Sequence, residues 1–124
     1  MLSVPITVGR KNMNPVLEAI FGNRTASLVL LFLEAYGEGH AQRIADTFEL
    51  GLSMTQRQLN RLEGNGVLFS RVVGRTRLFM FNERNPTVRN LRKFLAAELD
   101  VLPDDDVRRY FRQRQRPRRA GKPL

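Results

Sequence analysis

Residues 44–63, IADTFELGLSMTQRQLNRLE, followed by Gly66-Val67-Leu68, decide the architecture of this chain. They read as two short helices and then a strand, the second helix being apolar on one side only. Leu59 and Leu62 stand three apart and point inward, which leaves Gln56, Arg57, Asn60 and Arg61 looking outward. Side chains of those types hydrogen-bond base edges and phosphates in a major groove. A helix that presents amides and guanidinium groups together points to a DNA reader.

Upstream of this stretch, Asn14-Pro15 is a helix start, an N-cap followed by a proline whose missing N–H costs nothing there. The first helix places Leu17, Ile20 and Phe21 on one side and stops at Gly22. A second helix is predicted over about residues 24–36, apolar nearly all round through residues 28–33, and is expected to be the central buried helix. The third, about residues 40–48, buries Ala41, Ile44, Ala45 and Phe48. The fourth begins at Gly51 or Ser53, and the reciprocal capping pattern Ser53-x-x-Gln56 favours the later start.

Downstream, residues 67–73 and 76–81 form two strands about Gly74-Arg75, where glycine at the first turn position suits a tight hairpin. Pairing across that turn sets Val73 with Thr76, Arg71 with Leu78 and Phe69 with Met80 on one face, and gives the other face to Leu68, Val72, Phe79 and Phe81. Both faces are apolar. The expectation is that the apolar side of the last helix (Val107, Tyr110, Phe111) shields Phe69, Leu78 and Met80. Asn85-Pro86 starts a fifth helix running to about Leu99, with Val88, Leu91, Leu95 and Leu99 in one stripe. Pro103 breaks the chain, and residues 104–106, three aspartates, favour a sixth helix because carboxylates complement a positive helix end. The organisation is then an extended arm over residues 1–13 with Val4, Ile6 and Val8 alternating, a domain over 14–99, and a last helix with a basic tail over 100–124.

The net charge of +9 is unevenly spread. Residues 1–56 carry −1, residues 57–93 carry +7, residues 94–107 carry −5, and residues 108–124 carry +8 with no acid. Basic charge therefore falls on the outward helix, the hairpin after it and the tail, which is the footprint of a polyanion binder. The tail, with Arg108, Arg109, Arg112, Arg114, Arg116 and the cations beyond, could follow DNA phosphates or fold against RNA.

Other chemistry finds little support. A chain of 124 residues is one domain with short appendages. Cysteine is absent, which excludes disulfides and thiolate metal sites, and the single histidine, His40, excludes a multi-histidine site within one chain. His40 lies near a helix start and reads as structural. The serines have no evident base, so no catalytic residue is proposed. No run approaches 18 apolar residues, and the short apolar stretch 2–8 is followed rather than preceded by Arg10 and Lys11, unlike a signal peptide.

The order of four helices, hairpin and helix is that of a winged helix, and the residues resemble the ArsR-like class of winged-helix transcriptional regulators. Residues 19–33, AIFGNRTASLVLLFL, are similar to that family's opening "ALFGSRTR" helix, and residues 44–82 follow its "IA…L…QR.L.RLE..G…SR..GR.R…N" course without a gap. The resemblance covers about residues 14–99. It implies a mainly α fold with a β-hairpin wing, a winged helix-turn-helix. It also implies a homodimeric repressor on double-stranded DNA, cytoplasmic and nucleoid-associated in a prokaryote; from the residues themselves no membrane, cofactor or metal is expected.

On this reading the groove-facing set is Ser53, Met54, Thr55, Gln56, Arg57, Gln58, Asn60 and Arg61. Arg57 is the candidate for guanine, Gln56, Gln58 or Asn60 for adenine, and Ser53 and Thr55 for phosphates or base edges. Arg71, Arg75 and Arg77 lie on the wing, where the family reaches the phosphate backbone or minor groove. Because the family pairs subunits through its first and last domain helices, Leu17, Ile20, Val88, Leu91, Leu95 and Leu99 are the implied dimer contacts. Two departures stand out. Glu49 and Gly51 occupy the turn where the family has glycine and a serine or threonine cap, and the metal sensors' cysteines and histidines are missing, so metal sensing is not carried over. A protein-binding adaptor on the same scaffold, or RNA binding through the tail, are the alternatives.

Overall fold

Three asparagines begin three of the helices. In the computed structural model, which describes residues 14–111, the side chains of Asn14, Asn23 and Asn85 accept hydrogen bonds from the backbone N–H of Leu17, Ala26 and Thr87. Each such cap stabilises its helix by about 1 kcal/mol. The helices they open are α1 (Pro15–Phe21), α2 (Arg24–Tyr36) and α5 (Pro86–Asp100), and proline follows the cap in α1 and α5. Between them lie α3 (Ala41–Phe48), α4 (Leu52–Gly64) and an antiparallel hairpin of β1 (Leu68–Val73) and β2 (Thr76–Phe81); α6 (Asp104–Tyr110) follows α5. The expected arm over 1–13 and the tail from 112 onward lie outside the described residues.

The helix α2 is the axis of the core. Every residue from Thr25 to Tyr36 is buried, and α1, α4 and α5 pack around it. Polar groups on so enclosed a helix need partners, and Glu34, only 1 % exposed, has one in Arg92 of α5, whose Nε donates to Glu34 Oε1 at 2.7 Å. Arg92 also binds Glu83 and lies over the Phe81 ring, 5.2 Å from its centroid. Burial alone would depress the Arg92 pKa, but the hydrogen bond and charge of Glu34, with those of Glu83, raise it above its ordinary value.

The hairpin register is the expected one, Phe69 opposite Met80, Arg71 opposite Leu78 and Val73 opposite Thr76. Gly74 takes φ +65 as the first of the two turn residues, a conformation a side chain would strain. A short bridge fastens the hairpin to the loop between α2 and α3. The Gly39 N–H donates to the Phe79 carbonyl at 3.1 Å, and the Phe79 N–H returns to Gly39 at 2.9 Å. Only glycine fits there, since a Cβ would sit 2.5 Å from Cε1 of buried Phe32.

Three expectations are corrected. The helix α4 starts at Leu52 with Gly51 as N-cap and no side-chain cap bond, so the Ser53–Gln56 box does not form and Ser53 is already inside the helix. The last helix does not shield the outer hairpin face. Phe111, 1 % exposed, packs on Tyr36 and Phe48, the Tyr110 ring stacks 5.1 Å from Phe48, and the Tyr36 hydroxyl donates to the Tyr110 carbonyl at 2.7 Å. The last helix packs its rings on the aromatic ends of α2 and α3 instead, and Phe69 is left 45 % exposed. Finally, Leu17, Val88, Leu95 and Leu99 are core residues at 3 % exposure or less, because α1 and α5 turn those faces onto their own α2.

Candidate nucleic-acid interface

The turn between α3 and α4 has no glycine at its left-handed position. Glu49 adopts the left-handed conformation (φ 58, ψ 47), and its N–H caps α3 on the Ala45 carbonyl. A single non-glycine residue in this region carries about 1–2 kcal/mol of strain, held in place here by Phe48 in the core on one side and Leu59 and Leu62 on the other. The turn thus sets α4 across α3 as the second helix of a helix-turn-helix.

On α4, Ser53, Met54, Gln56, Arg57, Asn60 and Arg61 are exposed and define one outward face. Thr55 and Gln58, grouped with them by sequence, are not on it. Thr55 is fully buried, its hydroxyl donating to the Gly51 carbonyl at 2.9 Å. Gln58 is 8 % exposed, and its Oε1 accepts from Arg61 Nε at 3.0 Å. Both residues share the helical stripe of Leu59 and Leu62, which turns them off the outward face, and these bonds satisfy their polar groups. Gln58 acts as a strut that orients the Arg61 guanidinium.

The wing brings further cations to the same side. Arg77 donates to Ser70 Oγ at 2.9 Å, and Ser70 in turn donates to Glu63 Oε2 of α4 at 2.8 Å, a chain that ties hairpin to helix. Between α4 and the wing lies an open polar cleft of about 520 Å³, lined by His40, Gln56, Asn60, Arg75 and Arg77 among others. Arg71 leans the other way, 3.3 Å from Glu38 in the α2–α3 loop, and stands apart from the cleft. Among the described residues, neither Arg57 nor Arg75 has a carboxylate partner.

His40 is the residue whose place in the cleft sequence reading missed. It is the N-cap of α3, its Nδ1 accepting from the Arg43 N–H at 3.3 Å, as its position near a helix start suggested. The same residue also lines the cleft. No sequence signal places it there, because the contact depends on the Gly39–Phe79 bridge. Among the described residues no group of three or more His, Asp or Glu is placed to hold a metal ion, and no single helix is long and apolar enough to cross a membrane.

The implied subunit contacts divide. Ile20 is 59 % exposed and Leu91 is half-buried, whereas the other four are core. The large apolar side chains that α1 and α5 do expose are Val16, Ile20 and Phe94, joined by Val101 at the C-cap of α5, and the Asn14–Glu98 hydrogen bond joins the start of α1 to the last turns of α5.

No family profile and no curated protein sequence matches the chain. Solved structures do. Reduced HlyU from Vibrio cholerae, 18 % identical, superposes with a TM-score of 0.53 over 68 % of this chain and 85 % of its own. Mb0332 from Mycobacterium bovis, 19 % identical, gives 0.50 over 76 % of this chain and 91 % of its own; it is described as a homodimeric winged helix-turn-helix DNA-binding domain of a possible ArsR-family transcriptional regulator. At these identities the likeness establishes the fold, and that fold is the winged helix-turn-helix.

Proposed function

We propose that this chain is an ArsR-like transcriptional regulator that binds double-stranded DNA as a homodimer and represses by occupying a promoter. The observation that carries the reading is the cationic and amide surface spanning α4 and the wing, with Gln56 and Asn60 on one wall of the cleft, Arg75 and Arg77 on the other, and Arg57 exposed on the same helix. A helix of this width fits a major groove, and side chains on a wing reach the flanking backbone. Arg57 is the residue for a guanine and Gln56 or Asn60 for an adenine, while Ser53, Arg61, Arg75 and Arg77 hold phosphates. Gln58 and Thr55 serve by fixing the helix rather than by touching DNA.

Exposed Val16, Ile20, Phe94 and Val101 are the surface for the second subunit. A two-fold pair puts two reading helices in successive major grooves and selects a palindromic site. With three or four phosphates neutralised per subunit, log K falls against log salt with a slope of about −5 to −7. A gel-shift titration on random duplex at low and high salt tests this. A chain that ignores duplex DNA in dilute buffer, or binds it without salt dependence, refutes the proposal and leaves a protein-binding adaptor as the better reading.

A further inference from the structure

The outward face of α4 holds one residue that the DNA-binding reading leaves without a task. Ser53, Gln56, Arg57, Asn60 and Arg61 are exposed there, and each carries groups that form strong hydrogen bonds. Met54 stands among them, 43 % exposed, with a thioether that is only a weak acceptor. Three residues of helix separate it from Arg57, about 4.5 Å along the axis and about 60° around it. The two side chains meet, and Arg57 Nη1 donates to Met54 Sδ at 3.9 Å. Gln56 and Asn60 flank Arg57 on the side of the wing, where they line the cleft, so Met54 is its neighbour on the other side. It belongs to the first turn of α4, the part of such a helix that reaches base edges.

We infer that Met54 reads the C5-methyl group of a thymine in a base pair adjoining the guanine taken by Arg57. The inference rests on the DNA-binding reading and deepens it, by adding a base to the preferred half-site. Among the base edges of the major groove that methyl group is the apolar partner, the other features being donors and acceptors. Base pairs follow one another at about 3.4 Å, close to the axial offset between Met54 and Arg57, so a guanidinium on one pair brings the thioether to the next. Methionine, unbranched and with three rotatable bonds, adjusts its end to the methyl group. The sulfur contact keeps it beside the guanidinium. Towards such a side chain thymine differs from cytosine by the methyl group, so 5-methylcytosine passes for thymine.

The test uses the full chain and a duplex selected for binding from a random pool. Replacing each thymine in turn by deoxyuridine removes a methyl group and nothing else. One position per half-site, adjoining the guanine whose preference Arg57→Ala abolishes, should lose about fourfold in affinity, the worth of one buried methyl group. Met54→Ala should bind the thymine and deoxyuridine duplexes equally and keep its preference for that guanine. Cytosine at the same position should bind the parent chain more weakly than 5-methylcytosine, and Met54→Ala should not distinguish them. Deoxyuridine that binds as well as thymine throughout the site overturns the inference. So does a penalty that persists in Met54→Ala, or a penalised thymine away from that guanine. Loss of the guanine preference in Met54→Ala makes the residue a brace for Arg57 and overturns it also. The deoxyuridine scan on the parent chain decides the matter whether or not the alanine variant folds. A parent chain that selects no duplex refutes the DNA-binding reading itself.

Discussion

Arg92→Met should unfold this protein more readily than any substitution on its cationic surface. The guanidinium holds Glu34 of α2, whose side chain is 2 % exposed, at 2.7 Å, and the exposed Glu83 on its other side. The two pairs are not equal. Glu83 is 59 % exposed, and a pair in that setting is worth about 0–1 kcal/mol. Removing one partner of a buried pair costs about 3–5 kcal/mol, because the remaining charge keeps its desolvation penalty. Glu34 has further interactions, and methionine preserves much of the arginine stem, so a loss of about 3 kcal/mol is expected. For an ordered unit of this size that lowers Tm by about 12–15 °C. The raised Arg92 pKa contributes stability that is fully present while the guanidinium of the unfolded chain stays protonated and is lost only in strong alkali, so the effect should be flat from pH 6 to 9 on the arginine side. Guanidinium and thermal unfolding followed by circular dichroism measure it, with Glu83→Gln as the control. The reasoning is refuted if Arg92→Met lies within about 1 kcal/mol of the parent, or if Glu83→Gln costs as much.

Gly39→Ala drives a methyl group into Phe32 and should cost about 2 kcal/mol, with exchange of the Phe79 amide accelerated because the bridge is broken. Arg57→Ala should reduce discrimination between cognate and random duplex by about 1–3 kcal/mol, read from competition binding. Arg75→Gln with Arg77→Gln should instead weaken binding to all sequences alike and shallow the salt slope by about 2 per subunit. Ile20→Glu with Phe94→Glu, at sites 59 % and 39 % exposed, should leave the fold intact and yield monomers in sedimentation; a dimer of undiminished strength would place the subunit contact elsewhere.

What was legible in the sequence is what local chemistry controls. Asn14-Pro15 and Asn85-Pro86 announce helix starts because the cap bond forms within four residues, and Gly74 fixes the hairpin register because a tight turn leaves no alternative. The start of α4 misled because Ser53-x-x-Gln56 has the right spacing, while Gly51, which has no side chain to announce itself, takes the cap. Thr55 and Gln58 misled for a different reason. Periodicity assigns polar residues outward, and that rule fails where a hydroxyl can bond the carbonyl four residues back or an amide can brace an arginine three residues on. The Glu34–Arg92 pair and the docking of α6 on Tyr36 and Phe48 span 58 residues or more, and no local pattern encodes them.

Those long-range contacts also decide how well the cleft is held. A two-stranded hairpin by itself is marginally stable in water, and a wing that wandered would lose part of each phosphate contact to the entropy of ordering it. Here the hairpin is fixed at three separate points: the Gly39 bridge to Phe79, the Glu63–Ser70–Arg77 chain to α4, and the stacking of Arg92 on Phe81. None of the three lies at the cationic tip, and together they hold Arg75 and Arg77 at a set distance from Gln56 and Asn60. Buried Glu34 therefore acts on the interface from the far side of the core, through the arginine that anchors the wing's last residue. Loss of that anchor should lower duplex affinity even at temperatures where the fold survives, a coupling that a freely hinged wing would not display.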